Sequence, residues 1–278
     1  MTIASAIQMT STPDVHQNLA IAANLLSEAA QAGSKLAVLP EMFPIMGADE
    51  MAKIKIKEGY GEGLIQNFLS AQAIKNNLWI VGGTIPIAIE DEHRIRAASI
   101  VFNEKGKAVA RYDKIHLFDV CITKGIEEYK ESRTVEPGNH ITVVDSPVGK
   151  LGLSVCYDIR FPELFRNYLN AGVQVFVVPT AFTVKTGEAH WEVLARARSI
   201  ENLCYGIYAC QTGAHSAQKT TYGHSMIVDP WGKIITELAT NSGIISADID
   251  LGLIETLRKK FPSPDHQRIF ASKGVLDL

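Results

Sequence analysis

Apolar and polar positions alternate through Thr2–Met9, which predicts a half-buried strand. Over Pro13–Ala32 the period changes. Val15, Leu19, Ala22, Ala23, Leu26 and Ala30 recur at helical spacing, and Gly33 supplies a stop. Lys35–Leu39 predicts a strand closed by Pro40-Glu41. Gly63–Asn76 predicts a helix with Leu64, Phe68, Ala71 and Ile74 near one face, and Leu78–Ile85 a strand that runs through Gly82-Gly83. Ile95–Asn103 and Lys107–Lys114 flank Glu104-Lys105-Gly106 as a hairpin. Cys121–Gly138 is polar and aperiodic and predicts a long loop. His140–Ser146 and Lys150–Val155 form a second hairpin about Pro147–Gly149. Ala189–Asn202 predicts a helix with Trp191, Leu194, Ala195 and Ile200 toward the core. Tyr205–Gln211, Ser225–Asp229, Lys233–Glu237 and Gly243–Asp248 predict strands, with Pro230-Trp231-Gly232 as a turn. Leu251–Lys260 is a short helix, and Phe261–Leu278 an extended tail of a kind that docks on a second subunit.

One stretch organises the rest. Leu151, Leu153 and Val155 alternate with small residues and lead directly to Cys156. Pro162 suits a first helical turn, where its missing N–H is not needed. Leu164, Phe165, Tyr168 and Leu169 then recur at helical spacing up to Gly172, and Gln174–Pro179 reads as a buried strand. Strand, thiol, helix, strand is a βαβ unit with a cysteine at the carboxyl end of its first strand, the end at which open α/β sheets bind ligands. A strand-to-helix turn also offers N–H groups and a helix dipole that favour a thiolate. Read alone, such a cysteine is equally compatible with core packing. An internal repeat adds weight. Ala32–Phe43 aligns without gaps on Ala171–Phe182, each copy follows an amphipathic helix, and each places a polar residue, Glu41 or Thr180, beyond a strand end. Two related α/β halves in one domain are expected.

Composition narrows the class. The 278 residues are 46% hydrophobic and 21% charged, as in a soluble globular chain. A net charge of −3 argues against a nucleic-acid partner. No apolar run reaches membrane-spanning length, and the N-terminus has no basic leader. Four cysteines without a CxxC pair suit a reduced cytoplasm better than a disulfide scaffold. No spacing of His or Cys implies a metal, and no cofactor motif is present. Cys204 and Cys210 lie in an apolar run and read as core. Arg196 and Arg198 read as a solvated or salt-bridged helix face.

Glu41, Lys114 and Cys156 each follow a predicted strand. A carboxylate, an ammonium and a thiol have complementary roles. The ammonium stabilises an oxyanion, and the carboxylate takes the thiol proton and returns it to a leaving amine. Spacing alone does not select these three. The motifs around them do: Leu39-Pro-Glu-Met-Phe43, Tyr112-Asp-Lys-Ile-His-Leu-Phe-Asp119 and Cys156-Tyr-Asp-Ile-Arg-Phe-Pro-Glu163. With these the chain resembles the nitrilase superfamily of carbon–nitrogen hydrolases over essentially its whole length, residues 1–278. The resemblance implies an α/β fold, a four-layer α-β-β-α sandwich, in a single domain whose tail, residues 261–278, packs on another subunit of a homodimer or larger homo-oligomer. It implies a Glu41–Lys114–Cys156 triad and a second acid at Glu131, in the Glu131-Ser132 pair, that orients Lys114 and Glu41. Glu127 and Glu128 are neighbouring alternatives.

Within the superfamily, Tyr222–Gly232 and Gln211–His215 resemble the branch that acts on deaminated glutathione. An ω-amidase for 2-oxoglutaramate, a nitrilase and a catalytically silent partner protein of the same fold are the alternatives. The substrate expected is a small amide, cleaved through a cysteine thioester with release of ammonia or an amine. Expected substrate contacts are Tyr157, whose N–H would serve the oxyanion, with Arg160, Thr186 and His190. For Arg160 an ion pair with Asp158 or Glu163 is the competing expectation. Residues 121–130 lack the superfamily's usual Pro-Gly turn and carry extra charge.

Overall fold

The computed structural model describes residues 1–47, 49, 51–123 and 127–268. Its first half contains β1 (Thr2–Gln8), α1 (Val15–Gln31), β2 (Leu36–Val38), α2 (Ala52–Lys55), α3 (Leu64–Asn76), β3 (Trp79–Val81), β4 (Ile85–Ala88), β5 (Ile95–Phe102), β6 (Ala108–Asp113), β7 (Asp119–Thr123) and β8 (Glu127–Lys130). The second contains β9 (Val143–Ser146), β10 (Gly149–Leu153), α4 (Pro162–Asn170), β11 (Val175–Thr180), α5 (Val184–Asn202), β12 (Tyr205–Cys210), β13 (Thr212–Ala214), β14 (Thr220–Tyr222), β15 (Ser225–Val228), β16 (Ile234–Leu238), β17 (Gly243–Ile249) and α6 (Leu251–Lys260).

Strand alternation builds the layers. One seven-stranded sheet runs β17-β1-β2-β3-β5-β4 with β6 beside β5, and a six-stranded sheet runs β16-β15-β12-β11-β10-β9. In β2, Leu36 and Val38 join the core shared with Leu151 and Leu153 of the second sheet and with Val155 just beyond it. Ala37 and Leu39 point the other way, toward Leu26 of α1 and Leu69 of α3. On the far side of the second sheet, Phe165 and Tyr168 of α4 and Trp191 of α5 pack against Phe176 and Tyr208. The result is helix–sheet–sheet–helix, the expected four-layer sandwich. β1, β2 and β3 are parallel, as are β10, β11 and β12, so the two strands of the internal repeat are both central. Both end at the same rim.

Several local expectations change. The predicted strand Leu78–Ile85 is two strands, β3 and β4, because Gly83 sits at φ +53° and a Cβ there would come within 2.1 Å of the Pro40 carbonyl oxygen. The inward face of α3 carries Ile65, Leu69 and Ala73, whereas Leu64 and Ile74 are 50% and 58% exposed. Both stripes are apolar. The buried Glu58 carboxylate chooses between them by accepting the N–H groups of Ile65 and Gln66 and so fixing the helix start. The polar stretch after Cys121 is not one long loop: β7 and β8 pair as a hairpin, followed by a single 3₁₀ turn at Glu131–Arg133.

Helix α5 begins at Val184, capped by the Thr183 hydroxyl, five residues before the expected start. Gly187 belongs to it because the Tyr222 ring occupies the place of a side chain. In the same helix Ile200 is 44% exposed, while Arg198 is buried, donating to the Ile159 carbonyl and pairing with Glu201. The expected tail begins with a 3₁₀ turn, Ser263–His266, and its last ten residues, 269–278, lie outside the described residues.

Candidate active site

Glu41 follows β2 and Pro40 in a turn that is held by two hydrogen bonds. Thr84 Oγ1 accepts the Met42 N–H at 2.8 Å, Gln211 Nε2 donates to the Glu41 carbonyl at 3.0 Å, and Met42 itself adopts φ +57°. The Glu41 side chain is buried. Lys114 is the first residue beyond β6 and donates its own N–H to Ala97. Its ammonium reaches Glu41 Oε1 at 2.8 Å and the two oxygens of Glu131 at 3.1 and 2.8 Å. Glu131 also accepts the Phe118 N–H at 2.8 Å. Burial pushes the Lys114 ammonium down, but Glu131 and Glu41 outweigh it and hold the group well above the ordinary lysine range. Burial raises the Glu131 carboxyl, and Lys114 and Lys53 overcome this to leave it below the usual value.

Cys156 lies past β10 at φ +47°, a left-handed conformation that is costly for a residue with a side chain and persists where the surroundings impose it. What imposes it here is Asp158. That fully buried carboxylate accepts the Val155 N–H at 2.8 Å, the Tyr112 hydroxyl at 2.8 Å and the His116 N–H at 3.0 Å, and it meets His116 Nδ1 at 2.7 Å. Tyr112 and His116 flank Lys114 in sequence, so one buried acid ties the lysine turn to the cysteine turn. Phe161 stacks on the His116 ring at 3.6 Å and covers the network.

The thiol is not a resting thiolate. Burial and the Glu41 charge push it well above the ordinary cysteine range, against the opposing pull of Lys114 and of a hydrogen bond with the Ala181 backbone. Burial and the Glu41 charge thus act against the thiolate that a strand-to-helix turn favours. Cys156 and Glu41 line the same cavity, and the Glu41 charge acts on the thiol. The arrangement can pass a proton from sulfur to carboxylate when an electrophile arrives.

These groups open into one cavity of about 160 Å³, whose walls include Met42, Phe118, Tyr157 and Phe182. Thr186 lines it too. Arg160 and His190 sit together, 3.3 Å apart, behind the Tyr157 and Phe182 rings over which the guanidinium lies. Asp158 is occupied elsewhere, so the ion pair considered for Arg160 is replaced by these contacts. Among the described residues no His, Cys, Asp or Glu group is arranged to hold a metal. His215, buried between the Ser11 carbonyl and Thr221 Oγ1, is a structural residue. The sequence reading left Asp158, Tyr112, Thr84 and Gln211 without a part in the site. The first two stand inside the quoted motifs, and the signal was there in their position beside Cys156 and Lys114.

A four-layer α/β sandwich with a buried Glu, Lys and Cys at the rim of both sheets is the arrangement of a carbon–nitrogen hydrolase of the nitrilase kind. Residues 3–259 match the carbon–nitrogen hydrolase family, and the chain belongs to it. It is 39% identical to the deaminated glutathione amidase of Yersinia enterocolitica over 267 residues, covering 96% of this chain and 93% of that one. It is also 39% identical to the deaminated glutathione amidase of Homo sapiens, over 96% of this chain and 82% of the relative. Among solved structures, the nitrilase and fragile histidine triad fusion protein NitFhit of Caenorhabditis elegans superposes with a TM-score of 0.90 at 36% identity. The match covers 96% of this chain and only 65% of that longer chain. Nit3 of Saccharomyces cerevisiae, a member of branch 10 of the nitrilase superfamily, superposes with a TM-score of 0.84 at 34% identity, over 94% of each chain.

Proposed function

We propose that the chain is an amidase that hydrolyses deaminated glutathione through a thioester on Cys156. The observation that carries this is the buried Glu41–Lys114–Glu131 cluster set against the Cys156 thiol inside one cavity. The names of the relatives at 37–40% identity supply the substrate. In this scheme Glu41 takes the thiol proton as sulfur attacks the amide carbonyl. Lys114 and the Tyr157 N–H hold the oxyanion, and Glu131 positions Lys114. Collapse breaks the C–N bond, and Glu41 hands its proton to the departing nitrogen. Glu41 then takes a proton from water, the hydroxyl adds to the thioester, and Cys156 leaves as a thiol when that proton returns to sulfur. In deaminated glutathione the amide nitrogen belongs to cysteinylglycine, so the products are that dipeptide and 2-oxoglutarate. Ammonia is released only from a primary amide such as 2-oxoglutaramate. Thr186 faces the acyl group, and Arg160 with His190 backs the same wall.

The second reading is an ω-amidase for 2-oxoglutaramate. The modest cavity favours it, since 160 Å³ is small beside the sites of about 300–1,000 Å³ that enclose larger ligands. A nitrile substrate has no observation in its favour. The test is a side-by-side assay of 2-oxoglutarate release from the two amides, with Cys156→Ala as blank. A kcat/KM at least about tenfold higher for the peptide, or roughly 1.4 kcal/mol in transition-state binding, is expected. The reverse preference assigns the ω-amidase reaction, and turnover of neither removes both. A reduced, cytoplasmic setting suits four free cysteines and a thiol nucleophile. No helix among the described residues is long and apolar enough to cross a membrane.

A further inference from the structure

Glu41 stands in an irregular turn, and buried backbone groups outside a helix or ladder must find partners elsewhere. The carbonyls of Glu41, Met42, Phe43 and Pro44 all have one. Met42 accepts the Ile45 N–H at 3.2 Å within the turn. The other three accept from side chains that arrive from outside it: Glu41 from Gln211 at 3.0 Å, Phe43 from the Ser11 hydroxyl at 2.9 Å and Pro44 from Asn18 at 2.9 Å. Ser11 precedes α1 and Asn18 lies in it, so both belong to the first half. Of the three donors, Gln211 is the one from the second half, a residue past β12 and 170 positions from Glu41.

Gln211 and Ser11 are fully buried and lock together. Gln211 Oε1 accepts the Ser11 N–H at 3.0 Å, and Gln211 Nε2 donates to Ser11 Oγ at 2.7 Å. The same nitrogen gives its second hydrogen to the Glu41 carbonyl, so both hydrogens and the oxygen of the amide are engaged. The Gln211 backbone is fixed as well. Its N–H donates to the Thr180 carbonyl at 2.8 Å, and its carbonyl accepts the Gly223 N–H at 3.1 Å. Thr180 ends β11, and Ala181, next in sequence, lines the cavity beside Cys156. One residue therefore joins the turn that carries the acid to the wall beside the thiol, across the seam between the two sheets. Neither Gln211 nor Ser11 is among the walls of the cavity, so neither touches a substrate there.

A proton passes between two groups only within hydrogen-bond reach. A misplacement of about 1 Å in a reacting group can cost about 10²-fold in rate. We propose that Gln211 is a positioning residue for the general base: by holding the Glu41 carbonyl it fixes the carboxylate relative to the Cys156 thiol, so that the alignment of the two sheets sets the proton-transfer distance. This rests on the reading of Glu41 as the base that exchanges a proton with Cys156. Gln211 carries no charge, so its removal alters the thiol only by letting charged groups move.

The test follows alkylation of Cys156 by iodoacetamide against pH, read at the Cys156 peptide by mass spectrometry, in wild-type protein, Gln211→Met, Glu41→Gln and the double variant. The Glu41 charge helps to hold the thiol above the ordinary cysteine range. Gln211→Met should therefore move the midpoint down, in the same direction as Glu41→Gln. The double variant should match Glu41→Gln alone, because no charge is left for Gln211 to place. In steady-state kinetics Gln211→Met should lower kcat by about 10²-fold and change KM far less. Ser11→Ala keeps the bond from Gln211 to Glu41 but removes the hydroxyl that holds Phe43 and the amide. It should give a smaller shift of the same sign, and it takes the place of Gln211→Met should that variant not fold. A midpoint that stays at the wild-type position in folded Gln211→Met, or in Ser11→Ala in its place, overturns the proposal whatever the loss of thermal stability. So does a double variant that falls below Glu41→Gln by the full Gln211→Met shift. A midpoint unmoved in Glu41→Gln itself instead removes the reading of Glu41 as the base, and this inference with it.

Discussion

Neutralising Glu41 is expected to make Cys156 more reactive toward an alkylating agent even as it abolishes turnover. The Glu41 charge is one of the forces that hold the thiol protonated, and Lys114 pulls the other way. In Glu41→Gln the midpoint of iodoacetamide reactivity against pH should therefore move down from its wild-type position, which lies above the ordinary cysteine range. A midpoint that stays put or rises would show that the carboxylate does not govern the thiol. Lys114→Met should reduce kcat by about 10²–10³ for the lost oxyanion donor. It should also destabilise the protein by about 3–5 kcal/mol, since two buried carboxylates lose their cation. The pH dependence gives the sign. In wild-type protein Glu131 is depressed, so its contribution is present above the ordinary carboxylate range and is lost as acid protonates it. In Lys114→Met the unpaired acids gain from protonation, so denaturant midpoints should rise on acidification from pH 7 to 5 instead of holding level.

At the scale of elements, the turns do the positioning. Thr84 holds the Met42 N–H, and Gly83 brings the start of β4 against the Pro40 carbonyl. Thr84→Val should cost about 1–3 kcal/mol for a donor left unsatisfied in a buried turn, and should lower kcat more than it raises KM. Chemical denaturation and steady-state kinetics on one preparation check both parts, and an unchanged kcat would detach this turn from Glu41. Most strands and helices were legible because their periods are clean, as in β1, α1 and the β10-to-β11 unit. Where they were not, a neighbour distant in sequence decided. Glu58 rotated α3, Pro40 broke the strand at Gly83, and the Tyr222 ring made room for Gly187 in α5. The β7–β8 hairpin reads as loop in the sequence because its polar residues do not alternate.

For the molecule as a whole, assembly is the open question with a surface to test. Val193 and Ile200 on α5 are 69% and 44% exposed, and Trp231 meets Phe261 edge-on nearby at the surface, 58% and 50% exposed. The homodimer expected from the family resemblance would take this face out of water. Val193→Glu should convert the dimer to monomer in light scattering, and a wild-type protein that is already monomeric at micromolar concentration would remove the proposal.

The residues themselves determined the periodic elements and the three motifs that carry Glu41, Lys114 and Cys156, each written in local period, turn chemistry or a short run of neighbours. The family and its layer order followed from the resemblance those motifs carry. Tertiary structure alone decided how the three act together. Asp158 couples two turns that lie far apart along the chain, and Glu131 completes the cage around Lys114. The thiol is pushed above the ordinary cysteine range because burial in the assembled fold and the Glu41 charge outweigh Lys114. Those effects depend on distance and on exclusion of water, and neither exists until both sheets have met.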